Sequence, residues 1–282
     1  MKPVERILLT AVSLTVLFGF IAPVAAEEKS SWYKNLPKEN KAVLLNAAAG
    51  AVILTWGALS WDYGERNPHF QSEGWFEKDS PEGGADKVGH VYTGYALSHL
   101  FYYRYKHWGY DEQKAIRLGS LSSLGVTTLM EIGDSFSHYG FSCEDELFNI
   151  LGAVIGYYLV RYPEAAGKID FRVEYDPFRE GKHKRDFLTD YERIKYLFAV
   201  KFGGFDALRE TYLKYFEFQV GYYARGYDDY DEDTGKHDGR RRKLYAGIGL
   251  NIGSLLGPFW KTKLFNYVQV PYTYVPVNAR LD

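Results

Sequence analysis

The 282-residue chain holds one cysteine, Cys143, which excludes an intrachain disulfide and any cysteine-rich zinc site. It also lacks an excess of either charge. Lys plus Arg number 34 against 36 Asp plus Glu, a formal charge of −2, so the basic field that nucleic-acid binding requires is missing. Apolar runs that reach a full membrane span are scarce as well: the first predicted helix, with about 18 largely apolar residues, is borderline and the fourth, with about 14, is short. The run from Ile7 to Ile21 is short for a span of ~20 residues. It follows Lys2 and Arg6 and precedes the small residues Val24, Ala25 and Ala26, a pattern that predicts a secretory leader removed after Ala26. No cysteine stands near that point, so the sequence gives no support for lipid attachment. The expected location is the periplasm or cell envelope of a Gram-negative bacterium, with a bundle spanning the inner membrane as the alternative.

Aromatic residues, by contrast, are abundant: 6 Trp, 25 Tyr and 18 Phe, or 17% of the chain. Tyrosine suits places where an apolar body meets a wet edge. The hydrophobic period changes near residue 169. Before it, four apolar stretches at helical spacing predict helices over roughly Glu39–Ser60, Asp86–Lys106, Asp111–Phe136 and Ser142 to just before Pro163. Asp111 and Ser142 are cap candidates. Beyond it, alternating segments predict strands at Ile169–Tyr175, Ile194–Phe202, Phe216–Ala224, Lys243–Ile252 and Phe265–Tyr274. The expected fold is therefore α+β: a leader (1–26), an up-and-down bundle of about four hydrophobic helices (27–165), and an antiparallel β-meander of four to five strands (166–282). Five strands cannot close a membrane barrel, which needs about eight, so the sheet must pack on the helices, a partner or a membrane surface. Gly152 with Gly156 and Gly119 with Ser123 permit close helix contact. The tyrosines of the second helix (Tyr92, Tyr95, Tyr102, Tyr103 and Tyr105) and the strand aromatics are read as contact surface away from the polar cluster described next.

If the helices alternate in direction, one end of the bundle collects Asp86, Lys87, His90, Glu131, Asp134, Glu144, Asp145 and Asn149. Asp86 and His90 are four apart, Glu131 and Asp134 three, Asp145 and Asn149 four, so each pair shares a helix face. Three readings follow. In the first, Lys87 pairs with a carboxylate while His90, Asp134 and Asn149 tie the helices through hydrogen bonds. In the second, His90, Glu131 and Asp134 hold a divalent cation. In the third, His90 or Glu131 acts as a base on a polar head group, with Asp134 and Asp145 holding a cation or the substrate. His99 and His107 are read as interfacial or solvated, His138 as a spare ligand, and Cys143 as a small buried side chain. Arg240, Arg241, Arg242 and Lys243 are read as a solvated strand end or a phosphate contact.

Lys34, Lys38, Lys41, Arg104, Lys106, Lys114, Arg117, Arg161 and Lys168 fall at the opposite end of the bundle. The positive-inside rule would turn that end to the cytoplasm, whereas a cleaved leader places Lys34 outside. We follow the leader and expect a periplasmic bundle whose basic end rests on anionic lipid.

D-K-V-G-H at Asp86–His90, E-I-G-D-S at Glu131–Ser135, and the run from Phe141 to Gly156 resemble the YfiM-like predicted periplasmic lipoproteins, a family of unknown function. More distantly they resemble VanZ-like membrane proteins. The resemblance covers about Gly84–Tyr162 and implies that Asp86, Lys87, His90, Glu131, Asp134, Asp145 and Asn149 are the positions that matter. It names no reaction. Two functions are carried forward: a non-enzymatic envelope protein contacting a membrane surface or an envelope protein, and an envelope enzyme acting on a lipid or glycan head group.

Overall fold

The computed structural model describes residues 31–179, 186, 188–227, 239–260 and 262–281. The expected leader and the loop residues 228–238 lie outside them. Among the described residues four long helices precede one six-stranded sheet, an α+β chain as expected. The helices are α1 (Lys38–Ser60), α2 (Ala85–His107), α3 (Glu112–Asp134) and α4 (Cys143–Arg161), each close to its expected bounds. The Asp111 and Ser142 side chains cap α3 and α4, accepting from the backbone N–H of Lys114 and Asp145. Before α2 stands Gly84 at φ 81°, where a Cβ would also run into Phe76.

Helix α2 is the centre of the bundle, and small residues let its neighbours touch its backbone. A Cβ on Gly152 of α4 would lie 2.3 Å from the Val91 carbonyl oxygen, and one on Gly119 of α3 would lie 2.9 Å from that of Ser98. The Gly94 carbonyl accepts from both Ser98 Oγ (2.8 Å) and Ser123 Oγ (2.7 Å), tying α3 to α2. Gly152→Ala must push α4 away from α2. We expect it to cost about 1–3 kcal/mol by overpacking, read as a lower urea midpoint at unchanged slope. An unchanged midpoint would show that the two helices do not need this approach.

Strands β1 (Ile169–Tyr175), β2 (Ile194–Lys201), β3 (Phe216–Arg225) and β4 (Arg241–Leu250) form the antiparallel meander. The expected last strand, Phe265–Tyr274, is broken. After a 3-10 turn at Leu264–Asn266, β5 (Val268–Gln269) pairs parallel to β1, and β6 (Tyr274–Arg280) then pairs with β4, making the sheet mixed. The break sits at 270–273, where Pro271 has no N–H to give a ladder and Tyr272 adopts φ 63°.

The sheet order β5-β1-β2-β3-β4-β6 puts chain neighbours β5 and β6 at opposite edges. Five peptide steps reach at most about 18 Å, whereas six flat strands extend about 24 Å, so the sheet curls. Its concave side combines a buried ion group with the apolar cluster Leu197, Ala199, Tyr223 and Tyr245. Arg172 lies there with Asp170 (2.6 Å), Glu217 (2.7 Å) and Gln269 (2.9 Å), all buried. Lys195 of β2 reaches Glu174 (2.7 Å) and the hydroxyl of Tyr274 on β6 (2.8 Å). The convex side is apolar. Phe171 and Tyr196 pack on α2 there, whereas Phe218, Val220, Ile248, Val275 and Val277 are exposed. The α2 aromatics are accordingly not all contact surface. Tyr95 and Tyr105 are buried, and Tyr92 and Tyr95 meet Phe171 at ring distances of 5.6 and 5.8 Å. Tyr92 and Tyr95 join helices to sheet, their rings filling the gap between α2 and the curled surface, whereas Tyr105 packs among α1, α2 and α3.

Candidate functional site

The start of α2, the end of α3 and the start of α4 meet at one end of the bundle. Lys87 is fully buried there, its ammonium 2.6 Å from Asp86, 2.8 Å from Asp145 and 3.3 Å from Glu73. His90, one turn further along α2, has Nδ1 3.0 Å from Asn149 Oδ1 and 3.5 Å from Glu131 Oε1, and Nε2 3.7 Å from Asp145. Asn149 donates its amide to Glu146 (3.3 Å), which turns its carbonyl oxygen toward the histidine.

Asp134 stands apart from this group. Its carboxylate lies beside the hydroxyl of Tyr63, which donates to the Met130 carbonyl (2.9 Å) and whose ring is wedged against Gly57 and Gly133. The donor set that converges is therefore His90, Glu131 and Asp145, not His90, Glu131 and Asp134. A residue three along a helix is turned about 60° from its partner, and in the last turn of α3 that rotation carries Asp134 to Tyr63. Glu73 was missed by sequence reasoning. It comes from the loop between α1 and α2, where no periodicity marks a side chain as inward.

Burial dominates the electrostatics. It pushes the Glu131 carboxyl up to about 10, helped by the negative neighbours Asp145, Asp134 and Glu73. It pushes Asp134 up to about 7, against the neighbouring Tyr63 hydroxyl. Glu73 rises through burial and Asp145, with Lys87 opposing. Burial also acts on Asp145, but His90 and Lys87 outweigh it and hold this carboxylate below its ordinary value. Lys87 stays charged because Asp86, Asp145 and Glu73 overcome its own desolvation. The arrangement can hold a cation or pass a proton between Glu131 and His90.

Other histidines and the cysteine fall differently. His99 is buried, not solvated, with Nδ1 2.8 Å from the Tyr267 hydroxyl and Nε2 3.2 Å from the Gly156 carbonyl. The 3-10 turn before β5 brings Tyr267 over it, which helix periodicity alone does not reveal. It borders a cavity of about 310 Å³ that Tyr103, Lys263 and Asp170 also line. His107 and His138 are exposed, the latter near Asp62 (3.8 Å). Cys143 is exposed rather than buried, because the first turn of α4 faces outward there. In the basic cluster, Arg242 donates to the Phe76 carbonyl and Arg240 lies over the Tyr227 ring (5.1 Å). Sheet aromatics also reach the polar end, where Tyr222 donates to the Gly83 carbonyl and the Tyr196 hydroxyl lies against Gly89.

Residues 72–161, from the Glu73 loop through α4, match the model of a family described as predicted periplasmic lipoprotein (DUF2279). That description is consistent with a protein of the periplasm or cell envelope. No curated protein and no solved structure matches the chain.

Proposed function

We propose that this envelope protein has a binding role at a membrane surface and that the buried Lys87 group is the pin of its bundle. The observation that carries the reading is α1. This helix is long and apolar enough to cross a membrane, yet only 22% of its most apolar stretch is buried. Val43, Leu44, Leu54 and Leu59 are exposed along it, and Leu147, Leu151 and Val154 are exposed on α4. Apolar surface of that extent calls for lipid or a partner. The chemistry of the far end favours lipid. Lys38 and Lys114 flank the Tyr110 ring at 4.9 and 5.4 Å, and the exposed His107 ends α2 beside them, a basic rim suited to anionic head groups.

Liposome flotation tests this. The purified chain is expected to float with vesicles containing phosphatidylglycerol, less with phosphatidylcholine alone, and to lose flotation when Val43, Leu44 and Leu59 become Ser together. Sedimentation with both vesicle types would overturn it. The motif order Asp86-Lys87-x-x-His90, Glu131, Asp145-x-x-x-Asn149 also supports the YfiM-like and distant VanZ-like kinship, and Lys2 to Ala26 supports secretion with leader removal.

One observation favours the enzyme reading, the 3.5 Å approach of His90 to Glu131, a base beside an acid. It ranks second because Lys87, the cation an anionic head group would seek at this end, is already engaged by three carboxylates.

A further inference from the structure

We infer that His90, Glu131 and Asp145 bind one divalent cation of borderline softness, such as zinc or manganese. The inference is independent of membrane contact. The three side chains come from α2, α3 and α4, and one ligand atom from each lies within 4.8 Å of the others. Two ligands at 2.0–2.1 Å from a tetrahedral zinc stand about 3.4 Å apart, close to the 3.7 Å separation of His90 Nε2 from Asp145, while Glu131 lies on the Nδ1 side of the ring (3.5 Å) and within the same 4.8 Å group.

A second observation points into the same space. The Glu131 side chain is 2% exposed and its Oε1 accepts no hydrogen bond, while the carboxylate takes the backbone N–H of Ser142. A buried carboxyl oxygen left without a hydrogen bond is costly unless a cation meets it. Lys87 is not that cation, because its ammonium is engaged by Asp86, Asp145 and Glu73.

His90 is set up as a ligand. Asn149 Oδ1 sits 3.0 Å from Nδ1, and the orientation of the Asn149 amide, fixed through Glu146, makes that oxygen the acceptor. The proton is thereby held on Nδ1, which leaves the Nε2 lone pair free beside Asp145, the outer-partner arrangement common for metal-bound histidine. The His90 side chain is 15% exposed, which gives an ion a route in. One nitrogen and two carboxylates favour zinc or manganese over calcium, which prefers oxygen alone.

The test uses untagged protein stripped with chelator, then titrated with zinc chloride and separately with manganese chloride. Bound metal is measured by elemental analysis after desalting, and melting temperature is read in parallel. We expect one equivalent bound and a higher melting temperature. Glu131→Gln, uncharged and nearly isosteric, should lose the bound equivalent while its metal-free melting matches or exceeds that of the parent. Asn149→Ala should weaken affinity 10–100-fold, and Asp134→Asn should bind as the parent does. No stoichiometric metal on the parent, or equal binding by Glu131→Gln, overturns the inference. Should Glu131→Gln not fold, His90→Gln takes its place, and retained binding there overturns it equally.

Discussion

Lys87→Met is expected to lower the unfolding free energy by about 3–5 kcal/mol, the cost of removing one partner from a buried ion group. The methionine fills most of the volume, so packing changes little and the effect isolates the charge. The Lys87 ammonium lies 2.6–3.3 Å from Asp86, Asp145 and Glu73, and none of its side chain is exposed. Without it, carboxylates from the loop, α2 and α4 repel one another where water cannot screen them. Some will take up protons instead, and the loss should therefore shrink as the pH is lowered. Urea unfolding at pH 7 measures it, and Lys87→Met combined with Asp145→Asn should recover part of the deficit through the pairwise coupling. A loss under about 1 kcal/mol would mean that the buried ammonium does not hold this end of the bundle together.

The second large effect is a dependence on acid at the opposite end of α2. Burial, with a smaller contribution from Lys263, draws His99 from its ordinary 6.5 down to about 4, against the pull of the Gly156 carbonyl. The neutral ring is the form its partners fit, accepting from Tyr267 and donating to Gly156. An unfolded chain takes up the proton near pH 6.5, whereas the folded one resists until about 4. The stability from the neutral ring is therefore complete above pH 6.5 and is lost as pH falls to 4, about 3 kcal/mol at about 1.4 per pH unit. Glu131 and Asp134 act in the opposite sense, because a carboxyl whose folded value is raised gains stability on acidification. The measurement is therefore a difference, parent minus His99→Gln, in unfolding free energy from pH 8 to pH 4. We expect it to be level above pH 7 and to fall below 6.5. A difference that stays level throughout would place His99 in water.

Much of this architecture is legible in the chain. Caps at Asp111 and Ser142, helical spacing, and glycines at 119, 152 and 156 are local signals, and local signals fix helices to within a residue or two. The pairing of His90 with Glu131 and Asn149 also follows from helix direction and periodicity. What escapes is whatever depends on distant chain. Glu73 enters from an irregular loop, and Tyr63, wedged between Gly57 and Gly133, decides where Asp134 turns. Alternation in β1–β4 defines two faces without saying which is enclosed, since the pattern of a strand is the same read from either side. Only the return of β5 to β1 and of β6 to β4 makes the charged face the inner one.

That return orders events in time. Residue 173 pairs with residue 268, and residue 243 with residue 280, so the sheet cannot close until the end of the chain has arrived. Such distant pairings close slowly, because the entropy of a long loop must be overcome before any contact compensates for it. While the chain emerges N-terminus first, the helices can assemble from near neighbours. Asp170, Arg172 and Glu217 meanwhile stay hydrated, and the apolar backs of the same strands remain without their finished curvature. The last stretch, from Val268 to Arg280, is thus the latch of the whole sheet, the segment that meets both of its flanks, β1 and β4.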